Sequence, residues 1–108
     1  MEKELIQELY RLSNARNVPG VKRLFAADFR ENAPVAANGV EDYLRLRPDI
    51  FANDQTRYVI EVLFTDGNGT VTAYLKVKNG EKTVRRIVDI FAVKDGKIAE
   101  HWSVCQSA

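Results

Sequence analysis

The chain has 108 residues, of which 45% are hydrophobic and 29% charged, the composition of an ordinary globular protein with a single core. With 16 basic and 15 acidic residues the formal net charge is +1, which provides no basic stripe for nucleic acid or an anionic membrane. The single cysteine excludes an intrachain disulfide, and the charged N-terminus lacks the apolar run of a signal peptide, so we expect one cytoplasmic domain over residues 1–108.

The first third of the chain is predicted to be helical. A first helix is indicated by apolar residues at three- and four-residue spacing: Leu5, Ile6, Leu9 and Leu12. Asn17 is expected to cap a second helix, with Pro19 in its first turn. The segment "DFRENAPVAANG", residues 28–39, is predicted to be irregular, and "VEDYLRLR", residues 40–47, is predicted to be a third helix that directs Tyr43 inward.

The rest of the chain is predicted to form strands. Four segments are rich in Val, Ile, Thr and aromatic residues: "RYVIEVLF", "TVTAYLKVK", "KTVRRIVDIFAV" and "KIAEHWSVC". The turn signals "TDGNG", "NG" and "KDG" separate them. The sequence therefore predicts an α+β fold in which a four-stranded antiparallel meander follows the helices.

The turns predict which side chains share a face of this sheet. A two-residue turn at Asn79-Gly80 and a three-residue turn over residues 94–96 place polar and apolar residues together on one face: Thr72, Tyr74, Arg85, Ile87, Asp89, Phe91, His101, Ser103 and Cys105. The other face is then more apolar: Val71, Ala73, Leu75, Val77, Val84, Val88, Ile90, Ala92, Trp102 and Val104. We expect the mixed face to line a pocket beneath the helices, suited to a small, mostly apolar organic molecule.

Asp89 interrupts an otherwise apolar strand. Acidic residues are rarely buried without a partner, and the three-residue turn would place His101, the only histidine, directly opposite Asp89. A two-residue turn at Asp95-Gly96 would instead oppose Asp89 to Trp102 and remove His101 from this face. We favour the first register, but the sequence leaves both open, just as it leaves open whether Asp89 has a catalytic or a structural role.

The more apolar face indicates an interface, because a sheet face of this kind seldom meets only solvent. We expect a homodimer through this outer face, with Ile90, Trp102 and Val104 in the contact. We expect no metal site, because the sequence contains no cluster of His, Cys and carboxylates with ligand spacing.

Two segments carry a resemblance to a known family. "DIFAVKDGKIAEHWSVCQ", residues 89–106, resembles the closing motif of SnoaL-like proteins, and "LFAADFRENAPVAANGVEDYLRL", residues 24–46, is similar to their Tyr-x-x-His-Asn-Pro segment and third helix. The resemblance implies the nuclear-transport-factor-2-like superfamily, whose fold is a cone of curved antiparallel sheet with the N-terminal helices packed in its concave face.

The resemblance also implies a chemistry. The best-known SnoaL-like proteins are polyketide cyclases that perform an intramolecular aldol condensation without cofactor or metal, with a cavity aspartate as acid and base. That role falls on Asp89, with His101 assisting. The predicted substrate contacts are the remaining polar and aromatic residues of the expected pocket: Tyr74, Arg85, Asn32, Phe91, Tyr43 and Ser103. The alternative is a non-catalytic ligand-binding or dimerisation module on the same fold.

The related ketosteroid isomerases offer a second comparison. Their base aligns with Ala33, and their catalytic tyrosine aligns with Leu9, while Tyr10 is adjacent and expected on another face of the helix. Asn32 stands where SnoaL-like proteins have the histidine of the His-Asn-Pro segment, and Ser103 replaces an aspartate. An isomerase mechanism of that type is therefore not expected.

Overall fold

The computed structural model of the chain describes residues 1–32, 37–45 and 55–107. Three helices are present in these ranges: α1 (Glu2–Asn14), α2 (Val18–Lys22) and α3 (Val40–Arg45). They accompany six strands: β1 (Phe25–Glu31), β2 (Ala37–Asn38), β3 (Thr56–Thr65), β4 (Thr70–Asn79), β5 (Lys82–Lys94) and β6 (Lys97–Ser107). No helix in the described ranges combines the length and the apolar character that crossing a membrane would require.

Helix α1 packs on the concave face of the sheet through a continuous buried stripe. Its buried residues include Ile6, Leu9, Tyr10 and Ser13, whose spacing of three and four residues defines one side of the helix. The side chain of Asn14 fixes the end of the helix to β3, because its amide donates to the carbonyl of Tyr58 (2.9 Å) and accepts from the N–H of the same residue (2.8 Å). The predicted α+β arrangement of helices against a curved sheet is confirmed.

The sheet has the order β2-β1-β6-β5-β4-β3 and is not closed. The prediction of an irregular segment over residues 28–39 was wrong for its first part, since β1 extends to Glu31 and pairs in parallel with β6. The sheet is therefore mixed rather than purely antiparallel. The sequence signal of β1 was its alternation, because Phe29 and Glu31 are buried on either side of the exposed Arg30.

The hairpin between β5 and β6 has a shorter turn than predicted and an additional bulge. The two differences offset each other, so that His101 stays on the predicted face of the sheet. Asp95 and Gly96 form a two-residue turn with positive φ angles of 53° and 75°, so that Lys94 pairs with Lys97. A bulge at Ala99 then shifts the register, and Asp89 pairs with Ser103 while Phe91 pairs with His101. Asp89 and His101 therefore share a face as expected, but as diagonal neighbours and not as a directly opposed pair.

The predicted register between β4 and β5 was wrong. The loop residues are Gly80 and Glu81, and a bulge at Val84 displaces β5 by one residue, so that Ala73 pairs with Asp89. Because a one-residue slip exchanges the two faces of a strand, all of β4 is inverted relative to the prediction. Four residues that were expected on the outer face are instead buried against the helices: Val71, Ala73, Leu75 and Val77.

The hydrophobic core lies between α1 and the concave face of the sheet. It combines the α1 stripe and the inner residues of β4 with large side chains from the other strands: Phe25, Phe29, Tyr58, Ile87, Phe91 and Ile98. Two predicted features lie outside what the structure describes, namely the side chain of Tyr43 in α3 and residues 46 and 47 at the end of the third predicted helix.

Candidate functional site

Four polar side chains meet inside the apolar core. Asp89 comes from the middle of β5 and has no exposed surface, because the pleat of that strand directs it toward α1. The hydroxyl of Tyr10 in α1 donates to Asp89 Oδ2 at a distance of 2.6 Å. Tyr10 is only 2% exposed, so this hydrogen bond is shielded from water.

His101 continues the chain of hydrogen bonds from Asp89 to β1. Its Nε2 lies 2.7 Å from Asp89 Oδ1, and its Nδ1 lies 2.6 and 2.8 Å from the two carboxylate oxygens of Glu31. His101 and Glu31 are each 1% exposed. The contacts run in the order Glu31–His101–Asp89–Tyr10, and we call these four side chains the buried relay.

The hydrogen bonds of the buried relay define its proton content. A carboxylate oxygen only accepts unless it is protonated, so each contact of His101 with a carboxylate needs one proton, on the ring or on the acid. The group is either an imidazolium between two carboxylates or a neutral imidazole between a carboxylate and a carboxylic acid. Both forms sum to one negative charge over Glu31, His101 and Asp89, and they differ only in where a proton sits. A proton can therefore move within the relay without changing its net charge.

Aromatic rings surround the buried relay and hold it in place. The ring of Phe91 lies tilted by 31° over the imidazole of His101, with 4.8 Å between centroids. Tyr10 makes edge-to-face contacts with Tyr58 at 5.2 Å and with Phe91 at 6.2 Å. Such contacts restrict ring rotation, which keeps the Tyr10 hydroxyl and the His101 ring aimed at Asp89.

The structure separates Tyr74 from the site. Because β4 is inverted, Tyr74 lies on the outer face, where the guanidinium of Arg86 sits 5.9 Å from its ring centroid. The expected role of Tyr74 in orienting a substrate oxygen was wrong for this geometrical reason. Arg85 is on the concave side, because it pairs with the buried Val77, but it precedes Asp89 by four residues, roughly 13 Å along the strand.

Of the remaining predicted substrate contacts, some lie beside the buried relay and one is directed away from it. Asn32 is directed away from the relay, since its amide donates to Glu100 Oε1 at 3.3 Å. Ser103 pairs with Asp89 and is partly buried on the same face, and Phe91 is fully buried against His101. Tyr43 has no described side chain, so its expected role stays a prediction.

Sequence reasoning missed two members of the relay. Tyr10 was assigned to another face of α1, although its spacing of four residues from Ile6 places it on the buried stripe. Glu31 was missed because β1 was not recognised. Its signal was an acidic residue two positions after Phe29, on the core-facing side of an alternating segment.

Two clefts on the surface lie away from the relay. One, of about 600 Å³, is bounded by the start of α1, Leu24, Val93 and the β5–β6 turn. Another, of about 490 Å³, runs along β1 and β6 between Arg30 and Lys97. Neither is lined by any relay residue. Within the described ranges no three His, Cys, Asp or Glu residues are arranged to hold a metal ion.

Comparison with known proteins adds a family and a set of structural neighbours. The family model of the SnoaL-like domain matches residues 6–101, a range that includes all four relay residues. No curated protein matches the chain at a significant level.

The solved structures share the fold at low sequence identity. A nuclear-transport-factor-2-like protein of unknown function from Cytophaga hutchinsonii is 21% identical, with a TM-score of 0.79 over 98% of this chain and 90% of that one. A proposed ketosteroid isomerase from Kribbella flavida is 22% identical, with a TM-score of 0.77 over 98% and 78%. A proposed hydroxylase from Streptomyces galilaeus is 15% identical, with a TM-score of 0.78 over 97% and 78%.

Proposed function

Because the chain belongs to the SnoaL-like domain family, we propose that it acts on a small, mostly apolar carbonyl compound by cofactor-independent acid–base catalysis, with Asp89 as the acid and base. The observation that carries the proposal is the buried relay itself. One oxygen of this aspartate accepts a hydrogen bond from a tyrosine hydroxyl and the other contacts a histidine ring nitrogen. This arrangement allows the aspartate to exchange protons in apolar surroundings.

In the proposed reaction Asp89 takes the proton from a carbon next to the substrate carbonyl. The electron pair of the broken C–H bond moves onto the carbonyl oxygen, and the hydroxyl of Tyr10 turns from Asp89 to donate to that oxygen. If a C=C bond is conjugated with the enolate, the proton returns at the far carbon of that bond, which is an isomerisation. If the substrate carries a second carbonyl, the enolate attacks it, which is an aldol cyclisation, and the resulting alkoxide takes the proton. In both cases Asp89 returns its proton and no external oxidant or reductant is needed.

Glu31 and His101 support this chemistry from the other side of Asp89. The Nε2–H of His101 stabilises the Asp89 carboxylate before proton transfer, and Glu31 fixes the imidazole ring through both of its oxygens. Tyr10 replaces Tyr74 as the group that orients the substrate oxygen, because Tyr10 contacts Asp89 whereas Tyr74 lies on the opposite face of the sheet.

A second candidate function is ligand binding or dimerisation without catalysis. A specific observation favours it, because the four relay residues are at most 2% exposed and each is hydrogen-bonded within the protein. Polar networks satisfied in this way also stabilise and specify a core. The two functions make different predictions for carbon–hydrogen exchange.

The test follows hydrogen–deuterium exchange in D₂O at the carbon next to the carbonyl, by NMR, with cyclohexanone and a bicyclic aromatic ketone as probes. We expect the wild-type protein to accelerate exchange in at least one probe. Asp89→Asn should remove at least about 99% of the acceleration, because general acid–base groups contribute about 10²–10⁴-fold. Tyr74→Phe, which removes a hydroxyl from the outer face, is the matched control and should retain the full rate.

Binding of the same probes is followed in parallel through the NMR signals of the only histidine. Binding without acceleration by the wild type would reject catalysis on this substrate class and favour the binding module. Exchange that persists in a folded Asp89→Asn variant would reject Asp89 as the acid and base.

A further inference from the structure

Four cationic side chains meet on the outer face of the sheet, at the end that carries the turn between β4 and β5. Arg57 and Lys78 project outward, because each is next in its strand to a buried residue. Lys76 lies two residues before Lys78 on β4, and Arg86 pairs with Lys76 from β5. We call Arg57, Lys76, Lys78 and Arg86 the basic cluster.

The register of the strands opposes like charges within the basic cluster. Arg57 of β3 lies directly opposite Lys78 of β4. Lys76 of β4 lies directly opposite Arg86 of β5. Like charges in directly opposed positions destabilise a sheet, so this arrangement lowers the stability of the protein. Proteins depart from such rules of stability at functional sites, where a ligand uses the groups concerned.

One of these two pairs has a carboxylate that neutralises part of its charge. Glu61, at the bulge of β3, contacts Lys76 at 3.5 Å and Arg86 at 2.5 Å. Among the residues that the structure describes, no carboxylate pairs with Arg57 or Lys78. The acidic residue of the adjoining turn is followed directly by a basic one, so the turn adds no net charge. The basic cluster with Glu61 therefore carries three net positive charges, although the whole chain carries +1.

A further pair of opposed lysines shows how like charges are balanced elsewhere in this sheet. Lys94 and Lys97 flank the turn between β5 and β6 and pair in register. Three acidic residues line the same cleft as these lysines: Asp28, Asp95 and Glu100. The ammonium of Lys97 also donates to a backbone carbonyl at 2.6 Å. Within the described ranges, the basic cluster differs in that a single carboxylate is ion-paired with its four cations.

We propose that the basic cluster binds a diphosphate group, either as the inorganic anion or as part of a nucleotide. The hydroxyl of Thr83 is directly opposite Lys78 and continues the line from Arg57, so one row offers three donors from three adjacent strands. The guanidinium fork of Arg57 and the ammonium of Lys78 suit phosphate oxygens. Lys76 and Arg86 form a second row roughly 7 Å away, from the standard rise of a strand.

The dimensions of the basic cluster favour a short multivalent anion over a nucleic acid. Three strands span roughly 10 Å and the two rows lie roughly 7 Å apart, from standard strand geometry. This area accommodates two linked phosphoryl groups, whereas nucleic acids contact an extended basic stripe. A single carboxylate or chloride ion would leave most of the positive charge uncompensated, so we expect such ions to bind more weakly.

The test is isothermal titration calorimetry of the full chain at constant ionic strength and without divalent cations. The probes are inorganic diphosphate, adenosine diphosphate and inorganic phosphate. The wild type is expected to bind both diphosphates and to bind inorganic phosphate about tenfold more weakly. Lys78→Gln and Arg57→Gln should each lower the affinity for diphosphate about fivefold or more. Lys94→Gln removes the same charge at the opposite end of the sheet and should bind as the wild type does.

The opposed charges provide a second measurement. Because Lys78→Gln and Arg57→Gln each remove a repulsion between like charges, both variants should melt at the temperature of the wild type or slightly above it when no ligand is present. Added diphosphate should raise the melting temperature of the wild type more than that of either variant. Equal affinity for the two diphosphates would assign the site to the anion alone, and tighter binding of adenosine diphosphate would assign it to a nucleotide.

A wild type that binds neither diphosphate, or folded Lys78→Gln and Arg57→Gln variants that both bind normally, would overturn the proposal. An equal loss of affinity in Lys94→Gln would overturn it too, because overall charge would then govern binding. Tighter binding of a short DNA duplex than of diphosphate would exclude a small anion as the ligand. Asp89→Asn should bind diphosphate as the wild type does, because the buried relay lies on the other face of the sheet.

Discussion

Replacing Asp89 by asparagine separates the structural role of the buried relay from its ability to transfer protons. In the protein, Asp89 accepts from Tyr10 on one oxygen and contacts His101 Nε2 with the other. An asparagine can occupy the same space, accept from Tyr10 through its carbonyl oxygen and donate its amide to Nε2. His101 must then be neutral with its proton on Nδ1, where it donates to Glu31.

The expected change in the free energy of unfolding follows from this rearrangement of hydrogen bonds. Two hydrogen bonds to a charged group, worth about 1.5–3 kcal/mol each, become neutral ones worth about 0.5–1.5 kcal/mol, and burial of a carboxylate no longer opposes folding. We expect Asp89→Asn to change the free energy of unfolding by about 1 kcal/mol or less. Asp89→Ala leaves Tyr10 and His101 without their partner and should cost about 3–5 kcal/mol.

The assay combines urea unfolding of the three proteins with ¹⁵N NMR of the imidazole. His101 is the only histidine, so its signals need no assignment. The Asp89→Asn variant should show a single tautomer with the proton on Nδ1. Equal destabilisation by asparagine and alanine, or a proton found on Nε2 in the asparagine variant, would refute the hydrogen-bond pattern on which the expected values depend.

Three further predictions concern single contacts. Tyr10→Phe should lower the free energy of unfolding by about 1.5–3 kcal/mol in urea, because Asp89 loses its hydroxyl donor while the ring contacts remain. Asn14→Ala should lower it by about 1–3 kcal/mol through the loss of two hydrogen bonds to the backbone of β3, and an unchanged value would show that water replaces the amide. The backbone N–H groups of Thr70 and of the turn before it lower the pKa of Asp66 below its usual value of 3.8. At a pH above 3.8, Asp66→Asn should therefore reduce the melting temperature. The difference from the wild type should disappear as the pH falls through the lower pKa that Asp66 has in the folded state.

The helices and the last four strands were predictable because periodicity and turn residues report local structure directly. The faces of the strands were less predictable, because each depends on a count of residues that a single bulge changes. The bulge at Val84 inverted β4, whereas the bulge at Ala99 compensated for a shorter turn and left His101 on the face of Asp89. The alternation of β4 was the better guide, since its apolar positions are those that are buried.

The candidate site was half predictable. Asp89 and His101 are conspicuous as an acid and a lone histidine within one apolar hairpin, and the family resemblance pointed to the same segment. Tyr10 and Glu31 reach them from 79 and 70 residues away along the chain. Such contacts depend on how α1 and β1 pack against the sheet, which local sequence patterns do not contain.

The position of β6 has a consequence for how the protein folds during its synthesis. Among the strands that the structure describes, β6 comes last in sequence, yet it lies between β1 and β5 and alone joins β1 to the larger part of the sheet. During synthesis, a chain that ends before residue 97 has no place for β1 in the meander, so Glu31 stays in water and the edge of β5 is open to pairing with other chains. Arrival of β6 closes that edge and assembles all four relay residues in one step. A ribosome-bound chain should therefore change abruptly from aggregation-prone to compact as this strand emerges.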